Sequence, residues 1–166
     1  VYQSLVDAMA NVTFGPLSSF LRGAAKDEAW DLHETRFRNG RIYKTHDLPV
    51  YLGSIKAPKT IFLFGSAIDA ARSVLQCEET RGADWVDQHL QHLKARAELT
   101  EIYNYDILGF SEQIEAWFAA EAIPVLCLKY EEMWDAGAEE ALRRFTDLPV
   151  RLPPKRARAI AKRDND

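Results

Sequence analysis

Two five-residue runs, Thr60-Ile61-Phe62-Leu63-Phe64 and Pro124-Val125-Leu126-Cys127-Leu128, are apolar almost without a break. Side chains of a strand alternate between its two faces, so a run that is apolar at every position must be covered on both. That requirement points to a parallel sheet with helices on each side. The order of the neighbouring segments agrees. Thr60 to Phe64 turns at Gly65-Ser66 into a stretch, 67–79, that reads as helix, and 83–97 reads as another. Asp106 or Ser111 is placed to cap a helix ending near Ala122, and 137–146 forms a further helix. Upstream, 1–11 reads as an amphipathic helix with Leu5, Met9 and Val12 on one side, and a second helix runs from Pro16 to Gly23. Residues 26–41 are charged and irregular, a third strand spans 42–46, and Leu48 to Pro58 is a loop punctuated by prolines and Gly53. Strands alternating with helices give the α/β class, here a three-layer parallel sheet flanked by helices.

Composition narrows the function. The 166 residues suffice for a single domain with a core, and 47% hydrophobic with 28% charged residues is ordinary for a globular chain. A formal net charge of −4 argues against nucleic acid as a partner, since such binding needs a basic footprint. Any anion site must be local. No apolar run approaches the roughly 20 residues of a membrane span, and no signal peptide is visible, so the expected location is cytoplasmic. Cys77 and Cys127 have no metal-ligand spacing and are expected to be reduced thiols. His89 and His92 share a polar helix face without further ligands, which favours a solvated face over a metal site.

Ligands of parallel α/β sheets bind beyond the carboxyl ends of the strands. Lys44, His46, Gly65, Ser66 and Tyr130 all fall at or just past expected strand ends. A cation, an imidazole and hydroxyls beside a helix N-terminus suit an anionic, phosphate-bearing ligand.

Three segments in order carry a resemblance to a known family. Lys44-Thr45-His46 closes one strand. Gly65-Ser66-Ala67-Ile68-Asp69-Ala70-Ala71-Arg72-Ser73 follows the next. Val125 to Met133, with Tyr130-Glu131-Glu132-Met133 at its end, comes last. This arrangement resembles the sulfotransferases that use 3′-phosphoadenosine 5′-phosphosulfate (PAPS), a branch of the P-loop-like α/β folds, over about Val1 to Leu148. The resemblance implies catalytic roles for Lys44 and His46. It implies a 3′-phosphate site at Ser73 with Ser66 and Gly65, and an adenine neighbour at Tyr130. A neutral imidazole can accept the proton that an acceptor hydroxyl sheds, so His46 is read as general base and Lys44 as the stabiliser of developing charge. Asp69 reads as structural. No metal is required.

The chain departs from the family in two ways. The family has Arg where Gly65 stands, which removes a bidentate phosphate grip. Arg72, Arg81 or the tail cations Lys155, Arg156 and Arg158 are candidates to replace it. The family also has a central strand and a Gly/Ser/Thr-rich phosphosulfate loop before a helix like 1–11, and the sequence opens at Val1 already reading as helix. The expectation is a domain, 1–166, lacking that first strand and loop, with unpaired inner edges left on two strands.

The expected reaction moves a sulfonate from PAPS to a hydroxyl or amine on a small molecule, glycan or lipid. The acceptor would be lined by loops 13–41, 47–58 and 80–105, with Phe14, Phe20, Trp30, Phe37, Tyr51, Trp85 and Tyr103. Trp85, Trp117, Phe110 and Phe118 are expected in the core. Two alternatives stand beside it: a catalytically degenerate nucleotide-fold protein that works by binding, and a kinase-like phosphotransferase, which would require a Gly-Lys-Ser/Thr motif with Mg²⁺. Oligomeric state is open.

Overall fold

A computed structural model describes residues 1–29, 31–52, 58–135 and 137–155. Trp30, Gly53, Arg156 and Arg158, singled out above, lie outside the described residues. Ten regular elements follow one another: α1 (Tyr2–Phe14), α2 (Ser18–Leu21), β1 (Lys26–Glu28), β2 (Ile42–Lys44), β3 (Thr60–Phe64), α3 (Ala67–Arg81), α4 (Ala83–His92), α5 (Phe110–Phe118), β4 (Val125–Lys129) and α6 (Ala138–Thr146). The chain is mixed helix and strand, loosely α/β. It divides into two compact units, one of Val1–Phe64 with Glu115–Pro154 and one built on Gly65–Ile114.

Among the described residues the first unit holds four strands, arranged as two parallel pairs. In one, Lys26, Asp27 and Glu28 lie opposite Ile42, Tyr43 and Lys44. In the other, Thr60 to Phe64 lie opposite Val125 to Lys129. Of the three-layer parallel sheet expected from sequence, the described residues show two two-stranded parallel ladders. Strand β1 corrects the reading of 26–41 as wholly irregular. Three consecutive charged residues carry no strand pattern, and they are tolerated because β1 is an exposed edge whose charges stay in water.

Period-two alternation sends the strand side chains into two separate cores. Ile42, Ile61, Leu126 and Leu128 pack with Leu5 and Ala8 of α1, Leu142 of α6, and Leu148 and Val150. Tyr43, Phe62 and Val125 pack on Ala29, Leu32, Leu52 and Trp117. Consecutive residues of β2 (42, 43) and of β3 (61, 62) thus enter the same two clusters, so the two ladders share both cores. The ring of Phe62 stacks on those of Phe64 and Trp117, each with centroids 5.8 Å apart. Trp117 is buried as expected. Phe118 is largely exposed instead, touching Phe62 and Phe64 edge-on. Helix α1 buries Val6 and Ala10 against Ala25 and Ile42, and Met9 reaches both this cluster and the Leu142 cluster. Gly15, at φ 51°, ends α1 three residues past the expected stop. The expected helix from Pro16 to Gly23 is instead a single α-turn, α2, between 3₁₀ turns at Gly15–Leu17 and Arg22–Ala25. Arg143 fastens the end of the unit: its Nε donates to Val150 O at 2.9 Å, and its partner Glu139 accepts from Leu152 N at 2.8 Å.

The second unit packs α3 against α4 through Ala71, Val74, Val86 and Leu90, closed by Ile102, Ile107 and Leu108. Helix α4 stops at His92, five residues short of the sequence expectation. Lys94 adopts φ 54°, its N–H donates to Gln91 O, and Ala95 N–H donates to Leu90 O. This is the left-handed helix stop that glycine usually signals, filled here by a lysine that gives no sequence warning. Asp106 is the cap of α5, accepting from Phe110 N at 2.8 Å and Ser111 N at 2.7 Å. Partial burial pushes its carboxyl up, but the N–H donors of Ser111 and Phe110, the Ser111 side chain and the Arg96 guanidinium outweigh this and hold it below the usual carboxylate range.

Two predictions follow from these helix ends. Lys94→Gly relieves the left-handed backbone and should stabilise the protein by about 1 kcal/mol in urea unfolding. Asp106→Asn should weaken the cap only where the carboxylate is charged. Because the folded-state value is depressed, the charged cap's contribution is full above the ordinary Asp value of about 4 and is lost as pH falls through the folded-state value. The wild-type advantage in unfolding free energy should be constant near neutrality and shrink below about pH 4; an advantage that grows on acidification contradicts the assignment.

Candidate functional site

The carboxyl end of β2 is held by two ties to the segment after β1 and by one bond within its own turn. Ala29 N donates to Lys44 O at 2.9 Å, which extends the ladder by one residue. Asp47 N donates to Thr45 Oγ1 at 3.0 Å, closing a side-chain turn around His46. Asp47 Oδ2 then accepts from Leu32 N at 2.7 Å. Between these ties stand the two candidate catalytic groups. The Lys44 side chain is exposed, and among the described residues its ammonium makes no ion pair. His46 is half-buried, with its Nε2 closed off from solvent. Asp47, which the sequence reading passed over, is 3% exposed and is the buried charged residue among those described. Its only sequence signal was a carboxylate set between a histidine and Leu48-Pro49.

The second group of candidates belongs to the other unit. Ser66 is the N-cap of α3, and its Oγ accepts from Asp69 N at 3.2 Å. The cap satisfies one donor of the first turn and leaves the amides of Ala67 and Ile68 without an intrahelical acceptor. Asp69 sits at the third helical position, where its backbone N–H meets the cap. Its carboxylate lies 4.0 Å from the guanidinium of Arg72, and both Arg72 and Ser73 are exposed on the helix. Gly65 is half-buried between β3 and this cap. Arg81 lies over the ring of Trp85, 4.6 Å from its centroid, and Trp85 stacks on His89 at 4.8 Å. Those three side chains form one column, which commits Arg81 to Trp85 and gives His89 a ring partner. Among the described residues no group of three His, Cys, Asp or Glu side chains could hold a metal ion.

Tyr130 begins the turn after β4, in the first unit. Because Phe64 and Lys129 are register partners, β3 and β4 end at the same level, and Tyr130 leaves the sheet there. Its ring meets Trp134 edge-on, with centroids 5.2 Å apart, and Trp134 Nε1 donates to Pro153 O at 2.9 Å. With 36% of Tyr130 exposed, an aromatic surface is presented to solvent. Trp134 was not singled out from sequence, although its spacing of four from Tyr130 across a turn was a readable signal. Of the aromatics assigned to an acceptor pocket, Phe20, Tyr51 and Tyr103 are exposed, while Phe37 is engaged by Tyr43 at 4.8 Å.

The structure therefore ties Lys44 and His46 to one strand end. It places Tyr130 at the end of the other ladder, and Gly65, Ser66, Arg72 and Ser73 around the start of α3 in the second unit. Among the described helices none is long and apolar enough to cross a membrane. Compared with known protein families, with curated proteins and with solved structures, the chain finds no match.

The cap at α3 has a direct test. Ser66→Ala should cost about 1 kcal/mol in chemical unfolding, whereas Ser66→Gly should cost only a few tenths. Equal losses from both would mean that the hydroxyl is not the cap.

Proposed function

We propose that this chain carries out sulfonate transfer from PAPS to a hydroxyl or amine acceptor, on a P-loop-like α/β framework. The observation that carries the reading is the pairing of the strands. The resemblance calls for a parallel sheet whose central strand leads into helix α1. The described strands form two parallel ladders that share cores on both faces, and neither ladder has a third strand among the described residues. Parallel strands covered on both faces are what this reading needs. Lys44, Thr45 and His46 end one ladder, and Tyr130 follows the other, at positions the resemblance assigns to chemistry and to the adenine.

In this reading the acceptor oxygen attacks sulfur, the bond from sulfur to the bridging oxygen of the nucleotide breaks, and the acceptor proton passes to Nε2 of His46. Lys44 meets the charge that builds on the leaving bisphosphate, a task suited to an exposed cation without an internal carboxylate partner. The resemblance assigns the 3′-phosphate to Ser66, Ser73 and Arg72 at the start of α3, with Arg72 in the role of the guanidinium missing at Gly65. Because Nε2 of His46 is closed off, acceptor binding has to displace what covers that nitrogen.

A second reading keeps the nucleotide and drops the chemistry. Gly65 in place of arginine, together with a Ser66 hydroxyl already used as a helix cap, favours a protein that binds without turnover.

The test uses the natural full-length protein with 3′-phosphoadenosine 5′-phosphate. Saturation at about a hundred times Kd should add about 2.7 kcal/mol of stability and raise Tm. No shift at millimolar nucleotide removes both readings. With binding in hand, His46→Ala should leave nucleotide affinity within a few-fold and lower transfer by about 10²–10⁴, the usual worth of a general base. Transfer retained in His46→Ala takes the imidazole out of that role. Nucleotide binding with no transfer to a panel of phenols, alkanols, sugars and amines selects the second reading.

A further inference from the structure

We propose that Asp47 is a positioning residue: its buried carboxylate locks the turn that holds His46 at the end of β2. The significance of that lock for catalysis rests on the reading of His46 as the base; the lock itself does not.

A carboxylate with 3% exposure is costly to bury unless hydrogen bonds satisfy it, so its retention calls for a specific partner. One such partner is the backbone N–H of Leu32, fifteen residues away in sequence, at 2.7 Å. Leu32 is itself a member of the Trp117 core, so Asp47 is anchored to a buried cluster. On the other side of His46, the Asp47 N–H donates to Thr45 Oγ1. One residue earlier, Lys44 O is held by Ala29 N. His46 is thus flanked on both sides by long-range or side-chain ties. Freezing the backbone on each side of a ring limits where the ring can go, and here the outcome is an Nε2 withdrawn from solvent. A hydrogen bond from an amide to a charged acceptor is among the stronger kinds, which suits a tie meant to hold against thermal opening.

The lock is read by the rate at which diethyl pyrocarbonate modifies His46, followed by peptide mass spectrometry in the full-length protein. His89 and His92 serve as internal references. In Asp47→Ala the His46 rate should rise about tenfold while the two reference rates stay within about twofold, because only the local opening becomes easier. Asp47→Asn should return the His46 rate to near wild type, since the amide oxygen can still accept the Leu32 N–H. A folded Asp47→Ala with an unchanged His46 rate overturns the proposal, as does a rise shared by all three histidines, and so does an Asp47→Asn no better than alanine. If Asp47→Ala does not fold, Thr45→Val decides. Removal of the Oγ1 acceptor should raise His46 modification several-fold, and no change there overturns the proposal. A protein that shows this His46 response but does not bind 3′-phosphoadenosine 5′-phosphate loses the sulfotransferase reading and keeps the lock.

Discussion

Strands whose side chains are apolar on both faces need two cores, and everything else in the first unit is arranged to provide them. Ile61, Leu126 and Leu128 need Leu5, Ala8 and Leu142 beneath them, while Phe62 and Val125 need Trp117 and Leu32 above. Leu142 and Val150 are completely buried, so helix α6 and the segment after it are core as much as connection. The Arg143–Glu139 pair and its bonds to Val150 and Leu152 act at the rim of that core. Their contribution is to hold the last segment in register over the strands, since half-exposed ion pairs add little stability of their own.

The same demand explains why the end of β2 is so firmly tied. A strand of three residues has few ladder bonds, and an edge strand as polar as Lys26-Asp27-Glu28 lends it little side-chain packing. The bonds from Ala29 to Lys44 and from Leu32 to Asp47 continue the union of the two segments beyond the ladder. Chemistry placed at such an end inherits its rigidity. By contrast, the start of α3 is organised locally. Ser66 caps Asp69 N, and Asp69 faces Arg72, all within seven residues of chain.

Much of this was legible in the residues. Thr60 to Phe64 was read to the residue, Val125 to Lys129 within one, and α3 and α6 within two. Asp106 was one of two caps considered for α5, and it makes the bonds. What misled the reading had physical causes. Lys94 takes a left-handed conformation that its side chain does not advertise. Lys26-Asp27-Glu28 is a strand only because Ile42-Tyr43-Lys44 lies beside it. Phe118 looked like core from its type, but α5 ends there and turns it outward. Of the candidate site, Lys44 and His46 were visible as a strand end, whereas Asp47 was not, because its partner is the backbone of a distant residue.

The residues alone determined the two long apolar strands, the main helices and the caps of α3 and α5, and that the apolar strands must be covered on both faces. Those properties depend on neighbours within a turn or two of chain. Which strand lies against which, that the parallel strands form two pairs, and that a carboxylate beside His46 is buried against Leu32 were decided only by tertiary structure. Each is a contact between residues far apart in sequence, and its free energy depends on packing that no local window contains.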